Sequence, residues 1–135
     1  MLLHHGDVFL VHVRAVFDGI DTGFRGPEDS LRAMQAGVKI AMGTDAAVYP
    51  HGLNAHELDV YVNQFGMAPL AALQTGTLNA ADLMGWSDKV GSLEPGHWAD
   101  IIAVNGDPLK DVRILQHVDF VMKAGVVYKN EAAAR

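Results

Sequence analysis

Two nearly continuous apolar runs, Val8-Phe9-Leu10-Val11-His12-Val13 and Val38-Lys39-Ile40-Ala41-Met42, set the tightest limit on what this 135-residue chain can fold into. Unbroken β-branched runs suit strands covered on both faces, whereas a strand with one wet face alternates apolar and polar residues. The Gly-rich stretch from Gly19 to Gly26 ends the first run. Pro27 at a first helical position, Glu28 and Asp29 at the positive end of the helix dipole, and Gly37 past its end then delimit a helix through Ala36. Strand, helix, strand is a βαβ unit, and its crossover makes the two strands parallel. The segment Gly43 to Gly52 is then a loop leaving the C-terminal end of the second strand, where α/β sheets gather their chemistry.

Helices follow. From Asn54, Leu58, Tyr61, Val62 and Phe65 form one apolar stripe that Gly66 ends. Pro69 opens a short helix to about Thr75, and Asn79 is placed to cap another that reaches Met84 before Gly85. After Trp86 the pattern changes. Glu94-Pro95-Gly96 is a turn, Ala99 to Val104 reads as a strand, and Gly106-Asp107-Pro108 breaks it. Phe120 to Lys123 and Val126 to Lys129 flank Ala124-Gly125 as a tight hairpin. The expected division is residues 1–86, residues 87–130 as a small β segment, and a tail at 131–135, with the boundary near Ser87 to Gly91.

Half of the residues are hydrophobic, enough to bury a core. A formal charge of -6 argues against a nucleic-acid surface, which needs a basic patch. Without cysteine, any metal must be held by His and carboxylates. The N-terminus lacks a basic n-region, so neither a signal peptide nor a membrane span is expected, and a cytoplasmic location follows as the default.

Asp45, in Gly43-Thr44-Asp45-Ala46, is the leading chemical candidate: a strand beneath it would hold its carboxylate rigidly at a site. The alternative is that Asp45 caps its own loop through backbone amides. His51 has no evident structural duty and is a substrate-binding candidate. Asn54 is either a substrate contact or the N-cap of the helix it begins. Tyr49 is read as a packing residue, and His12 as a core histidine. His4 and His5 are adjacent and would face opposite sides of a strand, so they do not chelate one ion. His56, His97 and His117 read as surface residues, and Asp100 and Asp107 as turn residues.

Taken together, Val38-Lys39-Ile40-Ala41-Met42-Gly43-Thr44-Asp45-Ala46, Tyr49-Pro50-His51-Gly52 and Asn54-Ala55 resemble the last barrel strand and loop of the amidohydrolase superfamily. The nearest likeness is to imidazolonepropionase-like hydrolases, including Xaa-Pro dipeptidases. Asn79-Ala80-Ala81-Asp82-Leu83-Met84-Gly85, Gly91-Ser92-Leu93-Glu94-Pro95-Gly96 and Ala99-Asp100-Ile101-Ile102-Ala103-Val104 follow in the family's order. Ordered motifs are far more specific together than singly.

The resemblance implies an α/β chain containing the end of a (β/α) barrel, its last two parallel strands plus helices, followed by a small β element from the family's β-sandwich domain. It implies hydrolysis of C–N bonds in a peptide or cyclic amide, with zinc or another divalent metal in the parent family. Asp45 matches the barrel Asp that ligates metal and relays a proton to the leaving amine. His-x-His, the carboxylated Lys or acidic residue, and two further His of the family have no counterpart here. A whole barrel takes about 250 residues, and a catalytic zinc typically takes three protein ligands. The isolated chain is therefore expected to be inactive and to hold metal weakly or not at all. Its work would need a homo-oligomer or a complementing barrel chain; the rival reading is a non-catalytic binding or assembly module. The unfamiliar start, Met1 to His5, points to a truncated or re-started reading frame. Ala68 stands where relatives have a Thr cap, a loss of roughly 1 kcal/mol, and Ala47 stands where they often have Gly.

Overall fold

The computed structural model describes residues 27–44 and 50–131. Helix α1, Pro27–Gln35, begins at the proline as expected, and Gly37 follows with a φ of 77°, the left-handed conformation that a residue without Cβ adopts freely. The chain then passes through Val38 to Thr44 in no regular element. A strand is defined only through a ladder, and the neighbour expected for this second strand, Val8 to Val13, lies outside the described residues. Helices anchor the segment instead. Val38 N–H donates to Ala33 O at 3.0 Å, Met42 N–H to Thr75 O at 2.9 Å, and the Asn79 amide to Ile40 O at 2.8 Å.

The helix expected from Asn54 starts later and changes pitch. Helix α2, His56–Asp59, runs into a π-helical turn, Val60–Gln64, closed by Phe65 N–H donating to Val60 O at 3.1 Å. Leu58 and Tyr61 are buried on its inner side, and Val62 and Phe65 pack against them, so the predicted apolar stripe is the buried one. Helix α3, Pro69–Thr75, has the predicted bounds, and Ala68 is an N-cap with extended backbone and no side-chain cap. Helix α4, Leu78–Leu83, is preceded by Thr77 rather than capped by Asn79, whose amide is turned toward Ile40.

Strands β1 (Ile101–Ala103), β2 (Phe120–Lys123) and β3 (Val126–Asn130) form an antiparallel sheet in that order. A 3₁₀ turn, Val112–Gln116, connects β1 to β2. The β2–β3 turn has Ala124 at φ 49° and Gly125 at φ 78°, the pair of positive values that a two-residue hairpin needs to match strand twist. Alanine is unusual in the first of these positions. The buried Asp100 carboxylate accepts Ala124 N–H at 2.6 Å, while Gly125 N–H donates to Ala99 O at 3.1 Å. Asp100 is thus a long-range brace. Asp107 does act within its own turn, accepting Leu109 N–H at 3.0 Å.

One apolar cluster joins Ala55, Leu58, Tyr61 and Ala72 to Val112 and Leu115 of the 3₁₀ turn, with Ile102 and Val104 against it. It brings residues from both sides of Ser87 to Gly91 into contact. Gly91, at φ 97°, sits where an added Cβ would lie 2.8 Å from Ala81 Cβ and 3.1 Å from Thr77 O. Only glycine fits there without a shift of backbone. No helix among the described residues is long and apolar enough to cross a membrane.

Candidate functional site

Asp45, for which the family resemblance implies both metal ligation and proton relay, lies outside the described residues, as do Tyr49 and His12. What precedes Asp45 is well defined. Thr44 is buried, and its hydroxyl accepts a hydrogen bond from Asn54 Nδ2 at 3.2 Å. The Tyr61 hydroxyl faces Gly43 N–H and the Glu57 carboxylate, both of which act on its titration. Of the two residues before Asp45, Thr44 is gripped by Asn54 and Gly43 lies beside the tip of Tyr61.

These contacts arise from helical geometry. Glu57 and Tyr61 are one turn apart, so their side chains lie on the same face. The apolar body of Tyr61 belongs to the core, stacked on Phe65 with ring centroids 6.3 Å apart, and its polar tip reaches Gly43. Burial pushes the Tyr61 hydroxyl far above its ordinary value, and the nearby Glu57 carboxylate adds to the rise. Burial also raises Glu57, opposed by the Tyr61 hydrogen bond and by His56. Tyr61 consequently remains a protonated donor throughout the physiological range.

Of the predicted substrate residues, His51 is exposed. Asn54 is half-buried and does not cap α2: Ala55 takes the cap position without a side-chain bond, while the Asn54 amide goes to Thr44. Thr44, Glu57, Tyr61 and Asn79 were absent from the sequence-based candidates. The only local sign was the Glu57–Tyr61 spacing; the Asn79 and Thr44 contacts span long separations. His56 Nδ1 lies 3.5 Å from Asp59, and His97 Nδ1 lies 3.1 Å from Ser92 Oγ, placing neither beside Gly43.

A groove of about 380 Å³ runs between the end of α1, Val38 to Ile40, and Phe65 to Met67. Met34, Val38, Ile40, Phe65 and Met67 make it largely apolar, and Thr44, His51 and Asn54 are not part of its wall. Among the described residues no three His, Asp or Glu side chains converge on a position that could hold a metal ion. A catalytic zinc takes about three protein ligands, so these donors alone do not fit one.

Residues 25–128 match the model of the amidohydrolase family. The chain belongs to that family. Ochratoxinase from Aspergillus niger is 41% identical over 101 residues, which are 72% of this chain and 21% of the relative. Imidazolonepropionase from Geobacillus kaustophilus is 32% identical over 110 residues, 76% of this chain and 26% of the relative. A crystal structure of a Xaa-Pro dipeptidase with methionine bound in its active site superposes with a TM-score of 0.73 at 44% identity, over 76% of this chain and 25% of that one. The chain spans about a quarter of the length of these amidohydrolases, and they share its mixed architecture.

Proposed function

We propose that this amidohydrolase segment supplies the Asp45 loop to a hydrolase of C–N bonds in a peptide or cyclic amide, with the remaining groups of the site contributed from outside the segment. The observation that supports this reading is the Asn54–Thr44 hydrogen bond at 3.2 Å, which ties the residue before Asp45 to the start of α2. Amide hydrolysis needs a carboxylate that takes a proton from attacking water and returns it to the departing amine, and rigid placement is what makes such a relay efficient. His51, exposed in the same loop, is the substrate-side residue, and Asn54 shapes the loop while its amide oxygen stays available to substrate. Zinc or another divalent ion would activate the water when all of its ligands are assembled.

We take the segment to work in the cytoplasm, as a homo-oligomer or with a complementing barrel chain. The exposed apolar side chains Val126, Val127 and Tyr128 on edge strand β3 support association. The test is metal analysis of the purified protein after gel filtration. Alone the chain should hold little zinc; stoichiometric zinc that appears in a homo-oligomer or once a complementing barrel chain is added, and is lost in Asp45→Asn, is the expected result and would justify an amide-hydrolysis screen. A folded assembly that stays zinc-free with the complementing chain present would overturn the catalytic reading in favour of a binding or assembly module.

A further inference from the structure

We propose that Asn105-Gly106 is a site of spontaneous covalent modification, where the Asn105 amide is lost as ammonia and part of the chain re-forms through the side chain as isoaspartate. This stands independently of the functional reading above. Asn105 is the only asparagine in the sequence that is followed by glycine. In such a pair the glycine nitrogen attacks Cγ of the asparagine, its proton leaves with the amide group as ammonia, and a succinimide ring remains. Water then adds to either ring carbonyl. Opening at Cγ leaves aspartate with the ordinary backbone, whereas opening at the main-chain carbonyl carries the chain through Cγ and lengthens it by a methylene. Glycine favours the ring because no Cβ hinders the attacking nitrogen.

The fold leaves this pair open to the reaction. On one side, Ala103 at the end of β1 is held by Asp119 N–H donating to its carbonyl at 3.0 Å. On the other, the following turn closes on itself, with the Asp107 carboxylate accepting Leu109 N–H at 3.0 Å. Between these fixed points Asn105 and Gly106 are exposed in a bend, with Gly106 at φ 123°. Among the described residues, neither the Asn105 amide nor Gly106 N–H has a hydrogen-bond partner. The other asparagines are held differently. Asn54 and Asn79 donate to Thr44 and Ile40, Asn63 donates to Asp59 one helical turn back, and Asn130 lies in β3. Each is also followed by a residue with a Cβ: Ala55, Ala80, Gln64 and Glu131. Val104, just before the pair, packs against the apolar cluster, and a Cβ added at Gly106 would lie 3.3 Å from Ile114 Cδ1. A lengthened backbone here displaces both contacts, so the modification loosens the joint between β1 and the 3₁₀ turn as the protein ages.

The experiment incubates the folded full chain at mildly alkaline pH in water enriched in heavy oxygen and follows each asparagine by proteolysis and mass spectrometry. Enzymatic methylation of isoaspartate is the independent readout. The peptide carrying Asn105 should gain the amide-to-acid mass shift and a heavy oxygen roughly tenfold faster than any other asparagine peptide, and a share of it should be methylated. Asn105→Gln should remove the signal and leave the urea midpoint unchanged. A parallel incubation in urea separates fold from sequence: conversion in urea with none in the folded chain overturns the proposal, because the fold then shields the pair. Conversion led by Asn54, Asn63, Asn79 or Asn130 overturns it too, as does aspartate without isoaspartate, which marks direct hydrolysis without the ring. In the converted fraction the β1 amides should exchange faster, and unchanged rates there overturn the loosening.

Discussion

The helical half and the sheet half of this segment are held in different ways. Residues 38–44 have no strand neighbour among the described residues and hang from single bonds: Val38 to Ala33, Asn79 to Ile40, Thr75 to Met42 and Asn54 to Thr44. Strands β1 to β3 are held by a repeating ladder plus one brace at Asp100. A ladder shares its load among equivalent bonds, whereas individual tethers make each side chain matter. Small changes in α2 therefore reach residues 38–44 more directly than changes in the hairpin do.

The joint between the halves is the place to break this contrast most severely. Gly91→Ala combines a left-handed backbone with a Cβ driven into Ala81, and should cost about 3 kcal/mol by urea denaturation. Next, Asp100→Ala leaves Ala124 N–H without its buried acceptor and should cost about 2 kcal/mol. Its damage should show in hairpin amide exchange and spare Gly43; if Gly43 loosens equally, the two halves do not differ as described. Ala68→Thr restores a side-chain acceptor at an N-cap whose backbone is already extended, and should add about 1 kcal/mol, read as a higher Tm.

The subtlest expectation concerns pH. Because Glu57 is raised from its ordinary 4.5, its protonated form contributes stability that is fully present below that pH and lost as pH rises through the elevated value. Glu57→Gln does not titrate and lacks this loss. Its stability relative to the unaltered protein should therefore improve between pH 4.5 and neutrality, measured by denaturation at several pH values. The opposite slope would show that the Tyr61 bond outweighs burial.

Local signals were legible because their physics is local. Pro27 and Pro69 open helices, Gly37 and Gly66 follow helix ends with positive φ, and the stripe from Leu58 to Phe65 is the buried face. The cap readings of Asn54 and Asn79 fail for the same reason. Each has the composition of a cap and stands where a cap fits, but its amide instead satisfies a distant group in residues 38–44. Tyr61 is legible as apolar surface but not as a polar neighbour of Gly43, because no spacing rule pairs the two. The π-helical turn likewise leaves no mark in an apolar stripe. Family motifs point to Asp45, whereas the contacts that hold Ile40 and Thr44 join segments far apart in the chain and leave no local mark.

The turn at Ala124 has a consequence for the order in which the sheet assembles. A hairpin closed by Asn-Gly sets its own geometry and can form early, but this one relies on a carboxylate 24 residues upstream to hold an alanine in a left-handed conformation. The loop from Asp100 to Ala124 must close before that support exists, and closure carries an entropic cost that grows with loop length. The hairpin's turn is therefore held by a contact that only the assembled three-stranded sheet supplies.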